Sequence, residues 1–117
     1  MILADTSIWI EHLRRSNDRL LLIMSRQQIL SHPFVIGELA LCGHRVSMSL
    51  LLQKVSSAIR ASDREALNLI HDRRLSGRGI GYVDAHLLAS ALLTPGAKLW
   101  TLDVKLRDVA LEAGVAA

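Results

Sequence analysis

Met1-Ile2-Leu3-Ala4-Asp5-Thr6-Ser7-Ile8-Trp9-Ile10 is a short apolar run that stops at a carboxylate and two hydroxyls before apolar residues resume. The run has the length and composition of a buried strand, and it delivers Asp5 to that strand's C-terminal end. In open α/β sheets the ligand crevice lies just outside the carboxyl ends of the strands, so an acid placed there stands where chemistry takes place. Asp, Thr and Ser are also preferred caps for a helix that Ile8, Trp9 and Ile10 begin. Asp5 therefore has two open roles, helix cap and site acid, and distant residues must weigh them.

Outward from this stretch, helices and short strands alternate. The pattern predicts a helix over 7–14, a second helix after Ser16-Asn17-Asp18 through Met24, and a strand at Gln28-Ile29-Leu30-Ser31. Pro33 suits the first position of a helix running to Cys42 and ending near Gly43. A helix over 46–57 and a third strand at Ala58-Ile59-Arg60 come next. Ser62-Asp63-Arg64-Glu65 has capping-box spacing and opens a helix that ends near Arg74-Leu75. The glycine-rich stretch 76–81 lacks the lysine and hydroxyl pattern of a nucleotide-binding loop and reads as a connection. A strong helix over 82–93 is stopped by Thr94-Pro95-Gly96. Lys98–Leu102 is the next strand, 104–112 the last helix, and Val115-Ala116 a small edge strand. Strands alternating with helices predict an α/β fold with a parallel sheet covered on both faces.

The bulk composition bounds the answer. The 117 residues are expected to form a single domain, 1–117, with half of them hydrophobic and a mean hydropathy of +0.30. That is rich for a soluble chain of this size, and the five apolar residues Leu20–Met24 cover more than one helix face, so some apolar surface is expected to meet a partner. No apolar run reaches the roughly 18 residues of a membrane span, and Asp5 interrupts the first run where a signal peptide would continue, so a cytoplasmic location is expected. Cys42 is the only cysteine and reads as a small core residue, which leaves no intrachain disulfide and no cysteine-based metal cluster. Fourteen basic against eleven acidic residues give a net charge of +3 and a pI near 9.6.

Four acids stand out. Asp84 has Leu87, Leu88 and Ala91 as its i+3, i+4 and i+7 neighbours, so a helix puts this carboxylate in its first turn on the apolar stripe. The helix N-terminus favours an acid at that level but does not explain one facing the core. Asp103 repeats the pattern of Asp5, an apolar strand followed by an acid and a helix. Glu38 follows Phe34 by four residues and Val35 by three, and so shares a side with apolar neighbours. Converging carboxylates must be relieved of their repulsion by raised pKa values or by a bound cation, and oxygen-only ligands suit Mg²⁺ or Mn²⁺. Such ions activate water and neutralise charge at a phosphodiester. Eleven acids less these four leave seven against fourteen bases, a balance of +7 outside the site. Arg14, Arg15, Arg19, Lys54, Arg60, Arg73, Arg74, Arg78, Lys105 and Arg107 are candidate phosphate contacts.

Other chemistries find less support. His32, His44 and His71 fall in or near turns and polar helix faces, His86 points away from Asp84, and no two histidines have the spacing of a zinc-binding helix. No serine-centred triad or nucleophile elbow is visible. A receiver-like domain needs an acceptor Asp at a mid-chain strand end, where Asp63 instead sits in a helix cap, and a haloacid-dehalogenase-type phosphatase wants an acid where the chain has Ser7.

Ala4-Asp5-Thr6-Ser7-Ile8-Trp9-Ile10, Gly37-Glu38-Leu39, the segment 79–91 around Val83-Asp84-Ala85 and Leu99-Trp100-Thr101-Leu102-Asp103-Val104-Lys105-Leu106 together resemble the PIN-domain ribonucleases, specifically VapC-type toxins. The resemblance covers essentially the whole chain and implies a three-layer α/β/α sandwich around a short parallel sheet. It further implies a metal-dependent endoribonuclease specific for single strands, often in structured RNAs such as tRNA. In that family the acids matching Asp5, Asp84 and Asp103 bind Mg²⁺ or Mn²⁺, and the one matching Glu38 orients or deprotonates the attacking water. Thr6 or Ser7 would hold a metal-bound water. The family also implies homodimers and a cognate VapB-type antitoxin lying across helical surfaces near the site. The alternative is a catalytically silent PIN-like module that binds RNA or protein.

Overall fold

The strand β1 (Ile2–Ala4) occupies the middle of the sheet, and Leu3 and Ala4 are fully buried in it. β2 (Ile29–Leu30) and β3 (Lys98–Trp100) pair with it in parallel on either side, in the order β2-β1-β3. The register sets Leu3 opposite Leu30 on one flank and Leu99 on the other, which explains why all three strands read as apolar runs without alternation. The computed structural model describes residues 1–43 and 46–117. His44, expected near a turn, lies outside the described residues.

Around the sheet stand α1 (Thr6–Arg14), α2 (Asp18–Ser25), α3 (Pro33–Ala40), α4 (Val46–Leu52), α5 (Asp63–Asp72), α6 (Tyr82–Leu93) and α7 (Val104–Glu112). α3 packs on α1 and α4, α5 packs on α6, and α6 and α7 pack on β3. This is the α/β arrangement expected of a PIN-like sandwich. Among the described residues no helix is long and apolar enough to cross a membrane. α6 is the most deeply inserted helix: every residue from Ala85 to Ala91 is buried.

The chain leaves β1 toward β2 and later crosses to β3 on the opposite side. The connection from β1 runs outward to β2 and the one from β3 runs outward to the Ala116 bridge, so the winding reverses between β1 and β3, and a crevice opens there at the carboxyl ends of the two strands. Asp5 immediately follows the end of β1.

Three segments differ from the sequence expectation for identifiable reasons. The helix expected over 46–57 stops at Leu52, where Lys54 N–H and Val55 N–H turn back to the carbonyls of Leu51 and Leu52 and the chain straightens toward β2. The third strand expected at 58–60 is a single parallel bridge between Ser57 and Ser31. Beyond it the backbone donors leave the ladder for side chains at the end of α6: Ile59 N–H bonds Thr94 Oγ1 at 2.8 Å and Ala61 N–H bonds Ser90 Oγ at 3.1 Å. The edge strand at Val115-Ala116 is likewise one bridge, from Ala116 to Leu99.

Two single residues are also corrected. Cys42 is exposed, because α3 ends at Ala40 and carries it beyond the core. His32 is fully buried and caps α3, its Nδ1 accepting Phe34 N–H at 3.0 Å. The capping box at Ser62 and Glu65 forms as the sequence predicts, with both arms made, at 3.1 and 2.9 Å.

Candidate active site

Asp5 ends the central strand and caps α1 at once. Its N–H bonds the carbonyl of Trp100 across the sheet at 3.0 Å, and its Oδ1 accepts the Ser7 N–H at 3.0 Å and the Ser7 hydroxyl. Oδ2 accepts the hydroxyl of buried Thr101 at 2.5 Å. Only 6 % of Asp5 is exposed, so this carboxylate is held by three donors in a nearly dry setting. A buried acid without such partners would carry a desolvation penalty of several kcal/mol.

The same two hydroxyls reach the next turn. Ser7 Oγ accepts Leu102 N–H at 3.1 Å, and Thr101 Oγ1 accepts Asp103 N–H at 3.0 Å. Asp103 caps α7 through Oδ1, which takes Lys105 N–H at 2.9 Å and Leu106 N–H at 3.3 Å, and its side chain is otherwise exposed. Thr101 thus fixes both strand-end acids with one hydroxyl. In the sequence Thr101 falls inside the expected strand 98–102; its burial between two carboxylate turns is what gives it a task.

Asp84 lies in the first turn of α6, where Oδ2 reaches back to Gly81 N–H at 2.9 Å. This is one arm of a capping box, since Gly81 has no side chain to return the bond. Gly81 here caps without competing for the carboxylate. Burial pushes the Asp84 carboxyl above its ordinary value, the Gly81 N–H opposes that, and the negative charges of Asp103, Asp5 and Glu38 push it further up. The four acids therefore share one electrostatic neighbourhood. Glu38 departs from expectation in being exposed on α3, while its neighbours Val35 and Leu39 enter the core. Its Oε1 is fixed by the Thr6 hydroxyl at 2.6 Å.

The hydroxyls of Thr6 and Ser7 are thus engaged with Glu38 and Asp5, and they orient acids instead of standing free to hold a water. Each of Glu38, Asp84 and Asp103 has one oxygen in these bonds and a second with no hydrogen-bond partner among the described residues. As they stand, no three Asp, Glu, His or Cys side chains among the described residues are close enough to hold an ion. The donor chemistry nevertheless fits a hard divalent cation: oxygens only, a free oxygen on each of Glu38, Asp84 and Asp103, one lone pair left on Asp5 Oδ2 beside its Thr101 donor, and repulsion that a cation relieves. Three helix N-termini, those of α1, α6 and α7, face the same carboxylates and offset part of that repulsion, about 0.3–1 kcal/mol each when exposed.

A cavity lined by Ser7, Ile10, Glu11, Arg14, Arg15 and Leu102 joins two guanidinium-bearing residues to Ser7, the residue that donates to Asp5. Two other candidate phosphate contacts are engaged elsewhere. Arg78 pairs with Glu112 at 3.0 Å, and Arg19 lies over the ring of Trp100 at 4.4 Å.

No family model matches the chain. Two curated relatives do: ribonuclease VapC32 from Mycobacterium tuberculosis strain CDC 1551 / Oshkosh and ribonuclease VapC32 from strain ATCC 25618 / H37Rv. Each is 45% identical over 119 residues, spanning 99% of this chain and 95% of the relative. The chain belongs to the VapC-type PIN-domain ribonuclease toxins. For a VapC chain, the placement of Asp5 and Asp103 at the carboxyl edge of the sheet is what the motifs imply, and the buried histidines His32 and His86 bond elsewhere. His86, which points away from Asp84 as expected, is buried within α6 and bonds Asp63 at 3.0 Å.

Proposed function

We propose that this VapC chain is an Mg²⁺- or Mn²⁺-dependent endoribonuclease whose site is built from Asp5, Glu38, Asp84 and Asp103. The observation that supports this most is Asp84, a half-buried carboxylate pushed upward by the charges of the other three. Proteins retain such repulsion where a cation is to be bound. Asp5, Asp84 and Asp103 would hold the cation, which would supply charge neutralisation at the phosphodiester and a more acidic water.

The chain's own residues do the rest. Glu38, anchored through Oε1 by Thr6, turns its second oxygen to the attacking water and takes its proton. Ser7 and Thr101 hold the Asp5 carboxylate in orientation by donating to it. Arg14 and Arg15, in the adjoining cavity, contact substrate phosphates, and the +7 balance outside the acids draws RNA to the surface. Residues 1–117 act as one domain in the cytoplasm, as a homodimer neutralised by a VapB-type antitoxin, with tRNA among the substrates. The apolar side chains of Leu21 and Leu22 on α2, both exposed, supply surface for such a protein partner.

Incubation with RNA in Mg²⁺ or Mn²⁺ tests the proposal. Cleavage that EDTA abolishes, and that Asp5→Asn and Asp84→Asn lose while remaining folded, is expected. Undiminished cleavage in EDTA or in both variants contradicts it, and RNA binding with no cleavage under any metal supports the silent-module alternative.

A further inference from the structure

The chain has only four Phe, Trp or Tyr residues, and three of them are wholly or partly buried. The exception is Tyr82, 46 % exposed, at the first position of α6 and two residues before Asp84. An exposed tyrosine ordinarily swings freely. This one is braced: its hydroxyl donates to Asp63 Oδ1 at 3.0 Å, and its ring meets His86 edge-on at 4.7 Å and 88°. His86 is itself held by the same Asp63 oxygen at 3.0 Å and packs edge-on against Phe34 at 4.9 Å. The guanidinium of Arg60 lies over Phe34, 5.4 Å from the ring centre. Tyr82 and Phe34 therefore flank the buried His86 ring, and with Arg60 they form an aromatic and cationic surface. Phe34 lies one turn before Glu38 on α3, so this surface borders the acids.

We propose that Tyr82 is a stacking platform for an unpaired nucleobase of the RNA, with Arg60 contacting that nucleotide's phosphate. The proposal rests on the ribonuclease reading above and extends it to substrate choice. At about 100° per residue, Tyr82 and Asp84 leave the first turn of α6 roughly 200° apart, so the ring takes a nucleotide other than the one whose phosphate meets the acids. Every base offers a π-face, and a ring already fixed in place loses little freedom when a base stacks on it. A base inside a duplex is covered by its neighbours, so the platform selects unpaired RNA at this position. A guanidinium beside the ring supplies the charge that a stacked nucleotide's phosphate requires.

The test uses the full chain carrying Asp84→Asn, to prevent cleavage, and a mixed-sequence single-stranded oligoribonucleotide with 2-aminopurine placed at each position in turn. Quenching at one position is expected, lost with Tyr82→Leu and kept with Tyr82→Trp, which preserves a stacking face. Tyr82→Leu should weaken binding by about 5- to 150-fold, the range that corresponds to one lost base stack. Arg60→Ala should weaken it and flatten its salt dependence. Equal affinity and equal fluorescence in Tyr82→Leu and its parent overturn the proposal. So does a Tyr82→Leu protein that loses affinity for a protein partner alone. If the unsubstituted chain cleaves no RNA but the quenching pattern holds, the ribonuclease reading fails and the platform stands. If cleavage is normal and quenching absent, the platform alone fails.

Discussion

The turn after β1 and the turn after β3 share a sequence pattern and differ in environment. Both run from apolar strand to acid to helix, and both acids cap the helix that follows. Asp5 is buried with three donors on its two oxygens; Asp103 is exposed with one oxygen committed and the other free. A local motif therefore decides that an acid caps, while its place in the sheet decides what else it does. The central strand buries its acid and makes it a structural element of the sheet's carboxyl edge. The edge strand leaves its acid wet, so its cap contributes little and its free oxygen is available. His32 adds a third buried cap, at the start of the helix that bears Glu38.

Substitutions can break this contrast, beginning with the largest effect. Asp5→Ala strands two hydroxyls and the Ser7 N–H, and should cost roughly 3–5 kcal/mol of stability in denaturant unfolding besides abolishing cleavage. Acid should act next, through His32. Burial, then the charges of His86 and Arg60, lower its pKa from 6.5 to about 4. Between those values the unfolded chain binds a proton that the folded chain refuses. Stability should therefore fall as pH drops from 6.5 toward 4, by on the order of 3 kcal/mol, and level off below. His32→Asn, which can still cap α3, should flatten that slope in melting curves taken across the range.

Thr101→Val removes the hydroxyl that serves both acids without changing shape greatly. A loss of about 1–2 kcal/mol is expected, with reduced cleavage, from the stranded Asp5 Oδ2 and Asp103 N–H. The smallest effect belongs to Asp103→Asn. Asparagine caps as well as aspartate, so stability should move by less than about 0.5 kcal/mol while metal-dependent cleavage is lost. Equal destabilisation by Asp5→Ala and Asp103→Asn would remove the distinction between the two turns.

Much of this was legible in the sequence because the signals are local. The apolar runs at Ile2–Ala4 and Lys98–Trp100, the caps at Asp5 and Asp103, and the capping box at Ser62 each depend on a few neighbouring residues. The four acids were found by combining positions, and the structure brings their charges together at Asp84. What escaped depends on partners distant in sequence. Residues 58–60 have strand composition, but hydroxyls of Thr94 and Ser90, at the end of α6, take the N–H groups of Ile59 and Ala61 and end the ladder. Glu38 stands among apolar residues in sequence, yet its side of α3 faces Thr6 and solvent. His32 reads as a turn residue beside Pro33, whereas Ser90, 58 residues on, bonds its Nε2 at 3.0 Å and completes its burial.

Mn²⁺ titration followed by electron paramagnetic resonance, on the unsubstituted chain and on Asp84→Asn, tests the central claim most directly. One or more saturable sites in the unsubstituted protein, lost in a folded Asp84→Asn variant, are predicted. Equal Mn²⁺ binding by the two proteins would contradict the assignment of Asp5, Asp84 and Asp103 as a cation site.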